Sequence, residues 1–357
     1  KIFLISSKKK TVKIINSKKI QSNYIFENNE FSNLIKRLKG KKFIIDAKSC
    51  SISNEKIIKS NFKVLKKDDP CYEFKSIKNP VEINHMKNAH FEDGLALTKF
   101  IFWIKKINKK KITEIDAQNK LEKFRKLSKK YLYPSFNTIA GSGANGAIVH
   151  YRASKKASKI IKKNDIFLCD SGGQYKFGTT DVTRTICFSQ QKKDIKKIFT
   201  KVLKGHIAVL QTNLNKINTG KKIDLRARKF LKEIGLDYEH GTGHGVGFFL
   251  NVHEGPQSIS KYNSVKFKEG MILSNEPGYY KKGEYGIRIE NLVYVKKNKN
   301  KLYFENLTFA PIEKELINES LLNKKEKDYL FRYHLDIYSK YSKLLNQKER
   351  KWLASLI

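Results

Sequence analysis

The chain has 357 residues, with 74 Lys and Arg against 34 Asp and Glu, for a formal net charge of +40. That length holds one large domain with smaller pieces, or two domains, with ample chain for a core, and no apolar run approaches the ~18–20 residues of a membrane span. The lysines are spread from Lys1 to Lys351, and runs such as Lys8-Lys9-Lys10 and Lys109-Lys110-Lys111 lack interleaved aromatics; the charge reads as a solvated surface from an AT-rich coding source, not as a specific nucleic-acid site.

Residues 1–75 alternate in short apolar runs, KKFIIDA and NFKVLKK, with one helical stretch near Asn33–Leu38, which predicts a small α/β piece. The opening KIFLISSKKK is too short in its apolar part for a signal peptide, and it lacks a Met, so Lys1 is not expected to be the natural start. Cys50, Cys71, Cys169 and Cys187 are dispersed, the pattern of reduced thiols in a cytosolic protein. Asp69-Pro70 and the stretch 75–80 read as a linker.

From Val81 the periodicity changes. Ile83, Met86, Leu95, Leu97, Phe100, Ile101 and Ile104 predict a long amphipathic helix, and Thr113 caps a second one through Leu127. Strands are expected at 136–140, 147–151, 166–170 and 181–188. Helices follow at 194–214 and 224–234, the latter ended by Gly235. Strands return at 245–250, 287–295 and 302–310, and from a capping Ser320 the chain is expected to be helical. The order of helices, strands, helices and strands suggests two α+β halves.

Three local signatures carry chemistry. CDSGGQYKFGTTDVTRT (Cys169–Thr185) places Asp170 and Asp181 eleven positions apart. HGTGHGVGFFLNVHEGP (His240–Pro256) contains His244 and His253, and SNEPGYY to GIRIEN spaces Glu276 and Glu290 by fourteen. Four carboxylates and one imidazole form a hard, oxygen-rich set that suits Mn²⁺ or a related divalent ion. Each has a plainer reading. Asp170 could close a strand in an Asx turn, Arg288 and Glu290 could be a same-face ion pair, and His150 and His253 could be structural. Tyr279 and Tyr280 could be core aromatics. His206 and His240 carry no functional signal and are expected to be surface or packing residues. The glycines around His244 permit close backbone approach, while a phosphate loop is disfavoured because no helix pattern follows.

The three signatures, with NGAIVHY (Asn145–Tyr151), DVTRT, the His244–His253 spacing and the tail LTFAPIEKELI, resemble the dinuclear metallopeptidases of the pita-bread fold, most closely aminopeptidase P of the long cytosolic type. The resemblance covers about Lys75 to Ile357. It implies an α+β, pita-bread (creatinase/aminopeptidase) domain with pseudo-twofold halves over 76–311, preceded at 1–75 by the C-terminal part of a creatinase-like second domain whose first domain is absent, and followed at 312–357 by a helical extension. It further implies two divalent ions, Mn²⁺ first with Zn²⁺ or Co²⁺ possible. Asp170 would hold one ion, Asp181 and Glu290 would bridge, and His244 with Glu276 would complete the second, so that a shared hydroxide attacks an N-terminal Xaa–Pro bond. Glu276 would move the proton, His150 and His253 would bind peptide and steady the oxyanion, Tyr280 would line the pocket and Arg288 would tune the site. The expected partners are peptides with proline second and a second copy of the chain in a homodimer, in the cytoplasm, without specific nucleic acid or membrane. The alternatives are a prolidase-type dipeptidase, a methionine aminopeptidase, a metal-free pita-bread binding module, and a truncated product that folds without activity.

Overall fold

The computed structural model describes residues 2–107, 112–154 and 156–357, so Lys1 and the Lys109-Lys110-Lys111 run lie outside the described residues. The chain divides into two compact units, Lys1–Tyr72 and Glu73–Ile357.

In the first unit, β1 (Leu4–Ile5) pairs in parallel with β2 (Ile25–Phe26) around α1 (Lys8–Asn16). After α2 (Phe31–Arg37), β3 (Lys42–Ile45) and β4 (Lys63–Lys66) pair in parallel, with α3 (Ile52–Lys59) as the crossover that parallel strands require. Ile35, Ile45, Ile58 and Phe62 form its core.

The expected linker begins instead as helix α4 (Pro70–Ser76). Pro70 is tolerated at the first helical position, where its missing N–H would be unpaired anyway, and the Asp69 carboxylate accepts from Cys71 N at 2.8 Å. An Asp-Pro pair therefore starts a helix here where a break was expected. The long helix α5 (Pro80–Lys106) opens on an Asn79/Glu82 capping box, and α6 (Glu114–Arg125) on a Thr113/Asp116 box.

The first half continues with β5 (Tyr131–Pro134), β6 (Ile139–Ser142), a 3₁₀ turn at Gly143–Ala147, β7 (Ile166–Ser171), β8 (Gly173–Tyr175), β9 (Gly178–Thr179) and β10 (Val182–Cys187). β10, β7 and β6 form an antiparallel sheet in which Thr183 pairs with Asp170. Phe167, Cys169, Val182 and Ile186 pack under Leu97, Phe100, Ile101, Ala117 and Leu121 of the two helices, so the alternate residues turn to the other face. The strand expected at 147–151 is absent. Gly146 lies against Gly286 so closely that a methyl on Gly286 would sit 1.8 Å from the Gly146 carbonyl oxygen, and the chain turns there.

The second half has α7 (Lys193–Leu210), α8 (Gly220–Lys232), β11 (Gly243–Gly245), β12 (Glu254–Ile259), β13 (Ile272–Asn275), β14 (Gly278–Lys281), β15 (Tyr285–Arg288), β16 (Asn291–Asn298) and β17 (Lys301–Asn306). Gly235, at φ +72, follows α8 as expected. The five-stranded sheet runs β12-β11-β13-β16-β17, and β14 with β15 forms a hairpin. Val209, Ile223, Ala227, Leu273, Val293 and Val295 tie α7 and α8 to the sheet. The single strand expected at 287–295 is two strands in two sheets, broken at Ile289 and Glu290. The strand expected at 245–250 closes after Gly245 and becomes a loop. At the C-terminal end α9 (Lys324–Tyr341) and α10 (Gln347–Ala354) follow; the cap of α9 is Asn323, boxed with Glu326, whereas Ser320 sits in a preceding 3₁₀ turn. Among the described residues no helix is long and apolar enough to cross a membrane.

Candidate metal centre

Asp170 occupies the cleft-facing position of β7, opposite Thr183 on β10, and Asp181 directly precedes that strand. The break between β15 and β16 brings Glu290 to the same place: its backbone N–H donates to the Thr183 carbonyl at 3.1 Å, and its carboxylate accepts from the Thr183 hydroxyl at 2.7 Å. From the same second half as Glu290 come His244 on β11 and Glu276, just past β13, whose N–H donates to the Thr242 carbonyl at 2.8 Å. Ser274 joins them, accepting from His244 N and donating to Glu276 Oε1, both at 2.9 Å. Arg228 of α8 fixes the approach to His244 by donating to the carbonyls of Tyr238 and His240, while Asp224 receives the Thr242 hydroxyl at 2.7 Å.

Ligand atoms of Asp181, His244 and Glu290 all lie within 4.8 Å of one another. His244 Nδ1 stands 2.9 Å from the Gly245 carbonyl, which assigns the proton to Nδ1 and leaves Nε2 as a lone pair. That nitrogen faces Asp181 Oδ2 at 3.5 Å and Glu276 Oε1 at 3.4 Å. Three acceptors converging on one point, with the second imidazole nitrogen tied to a backbone carbonyl, is the arrangement that suits a cation.

The electrostatics agree. Asp170, Asp181 and Glu290 are buried. Burial first, and then the neighbouring carboxylates, hold Asp181 and Glu290 well above the usual carboxylate range. Asp170 is raised less, because Arg288 opposes its burial with a bond of 2.6 Å. Asp170 Oδ1 is buried with no hydrogen-bond partner among the described residues. A hard divalent pair fits this donor set of oxygens and one imidazole, because its positive charge would offset the burial and the mutual repulsion of the carboxylates.

These five residues, together with His150, His253 and Arg288, line one cavity of about 410 Å³. His150 is exposed on the turn after the 3₁₀ segment, and His253 packs its ring on His244 with centroids 4.0 Å apart. Burial lowers the pKa of His253, and His244 adds to the effect. The direct Arg288–Glu290 ion pair considered from the sequence does not form; Arg288 pairs with Asp170, and the Thr183 hydroxyl stands between the other two, accepting from Arg288 Nε at 3.1 Å and donating to Glu290 at 2.7 Å. Tyr280 stands behind the lining, its hydroxyl accepting from Arg288 Nη1 at 2.5 Å and meeting His240 Nε2 at 2.8 Å. His240 corrects the expectation of a surface or packing role, because it lines the cavity and is held by Tyr280; its place four residues before His244 in HGTGH was the available signal. His206 is a packing residue, fully buried against the Asn275 carbonyl. Phe136, Val149, Arg152 and Val252 complete the walls without having been singled out in the sequence.

Residues 84–297 match the family model described as metallopeptidase family M24, and residues 300–356 match the C-terminal region of peptidase M24. A probable Xaa-Pro aminopeptidase P of Laccaria bicolor is 42% identical over 92% of this chain and 53% of its own length, and aminopeptidase P2 of Arabidopsis thaliana is 46% identical over 78% and 41%. The chain thus spans about half the length of the curated relatives it matches. Among solved structures, X-prolyl aminopeptidase of Caenorhabditis elegans, described as a cytosolic enzyme with a di-nuclear active site, superposes with a TM-score of 0.88 at 32% identity, covering 97% of this chain and 59% of the other. Prolidase of Pyrococcus furiosus gives 0.68 at 26%, covering 86% and 87%. The mixed helix-and-sheet architecture is the pita-bread fold of these neighbours, and with its cluster of carboxylates and imidazole set between the two halves, the chain belongs to metallopeptidase family M24.

Proposed function

We propose that this chain is the catalytic part of an Xaa-Pro aminopeptidase that removes the first residue from peptides with proline second. The observation that carries the reading is the convergence of Asp181, His244 and Glu290 within 4.8 Å, flanked by Asp170 and Glu276 in one cavity. The relatives named above point to the same substrate class. Asp170, Asp181, His244, Glu276 and Glu290 would hold two divalent ions, with Mn²⁺ the first choice for so many carboxylates and Zn²⁺ or Co²⁺ next. When bound, such a pair supplies Lewis acidity and eases proton loss from water near neutral pH.

Glu276, half-buried and tied to Ser274, takes the proton of the attacking water and returns it to the proline nitrogen, which as a tertiary amide has none of its own. His150 and His253 face the cavity from two loops and donate to the peptide carbonyl as it gains charge. Arg288 and Tyr280 keep Asp170 in place. Apolar walls at Phe136, Val149 and Val252 receive the first residue and the proline ring. The chain would work in the cytosol as a homodimer. The test is turnover of Xaa-Pro-Xaa and Xaa-Pro substrates with metal analysis on the same sample. Tripeptide cleavage with two ions bound supports the proposal; cleavage of dipeptides alone makes the chain a dipeptidase, and full activity without metal ends both readings.

A further inference from the structure

Behind the carboxylate cluster lies a second charged group that the proposed reaction does not use. Arg184 follows Thr183 on β10, so its side chain leaves the opposite face of the sheet. It is 1% exposed, and its donors go to neutral acceptors. Nε reaches the Pro311 carbonyl at 3.0 Å, and Nη1 the Thr183 and Glu290 carbonyls at 2.8 and 2.6 Å. Nη2 reaches the Ala310 carbonyl and Asn291 Oδ1, both at 2.8 Å, and the Tyr333 hydroxyl at 3.0 Å. Among the described residues no carboxylate pairs with it. A buried guanidinium without a counter-ion is costly, and retaining one needs a reason in its surroundings. Its neighbours supply that reason: Thr183 grips the Glu290 carboxylate from the front while Arg184 grips the carbonyl of the same residue from behind.

Tyr333 lies on α9, in the helical C-terminal region. Its hydroxyl also meets the Ala310 carbonyl at 3.1 Å and accepts from Asn291 Nδ2 at 3.2 Å. One hydroxyl thus ties that region to the residue following Glu290.

We infer that Arg184 and Tyr333 form a positioning clamp that sets Glu290 for metal ligation, making the C-terminal helices part of the metal-binding device. The inference rests on the reading of Glu290 as a ligand. Partners that orient a ligand typically change metal affinity by about 10–100-fold when removed.

Tyr333→Phe keeps the ring and deletes the hydroxyl. On chelator-stripped chain, Mn²⁺ titration calorimetry should show binding weakened by about tenfold with unchanged circular dichroism, and kcat should fall while KM stays. Arg184→Lys keeps the charge, loses the fork and should weaken Mn²⁺ further; it serves as the probe should Tyr333→Phe not refold. A lowered melting temperature with parental Mn²⁺ affinity would show a structural role only and overturn the inference. If the parent chain binds no divalent ion, the site reading and the inference both fall; if the parent binds two ions and the variants match it, only the inference falls.

Discussion

Asp181 exposes the tension between folding and site chemistry. Its carboxylate is buried beside Asp170 and Glu276 and held well above its ordinary pKa. Without a cation the ionised form therefore opposes folding near neutral pH. Asp181→Asn should stabilise chelated protein in urea titrations, lower metal occupancy, and cut turnover of an Xaa-Pro-Xaa peptide by at least about 100-fold. Near-normal turnover with two ions bound would reopen the whole ligand assignment. Histidine gives the opposite sign. His90 is fully buried on α5, and burial lowers its pKa to about 4. The folded state takes up its proton only below that value while the unfolded state does so near 6.5, so its contribution is present above 6.5 and lost as pH falls toward 4. The stability advantage of the parent over His90→Gln should shrink by up to about 1.4 kcal/mol per pH unit across that window; this difference measurement is needed because the raised carboxylates push the other way. Asp170, Asp181, His244, Glu276 and Glu290 stood out in the sequence because carboxylates at strand ends and an imidazole between glycines are conspicuous, and the structure brings all five to one cavity. The partner of Arg288 was not legible, because Asp170 lies 118 residues away on β7, while the near neighbour Glu290 is reached only through the Thr183 hydroxyl.

At the scale of elements, the sequence named α5, α6, α7 and α8, because α5, α7 and α8 show apolar periodicity and Thr113 caps as expected, gave only one helical stretch for α9 and α10, and missed α4. Strands fared worse. β8, β9, β13 and β14 run four residues or fewer, too short for alternation to show, and β12 carries Gly255 and Pro256, whereas β7 and β10 lie within a residue of the strands expected at 166–170 and 181–188. The strand expected at 147–151 gives way to a turn whose cause lies far along the chain, at Gly286. Two glycines separate sterics from conformation. Gly286→Ala brings a methyl onto the Gly146 carbonyl and should cost about 1–3 kcal/mol or more, with loss of activity because Arg288 lies two residues on. Gly235→Ala meets nothing within 4 Å but sits at φ +72, and should cost only about 1 kcal/mol with activity intact. Chemical denaturation and peptide turnover on both variants check the contrast; equal costs would show that the close approach is not rigid.

For the whole molecule, the charge of +40 remains the loudest number and the least informative about mechanism. Duplex DNA should bind weakly and lose affinity steeply between 50 and 200 mM salt, as for any polycation; tight, sequence-selective binding in fluorescence anisotropy would favour the binding-module alternative. Chelation should abolish peptide cleavage, and Mn²⁺ should restore it best among the divalent ions tested. A different consequence follows from the contact between Gly146 and Gly286. It has backbone on both sides, so there is no side chain in it to exchange. Phe136, Val149 and Val252 can be repainted one at a time to alter taste for the first residue of a peptide. At Gly286 there is no room even for a methyl against the Gly146 carbonyl, so protein engineers who want a roomier pocket should rework those wall side chains and leave the glycine seam as it is.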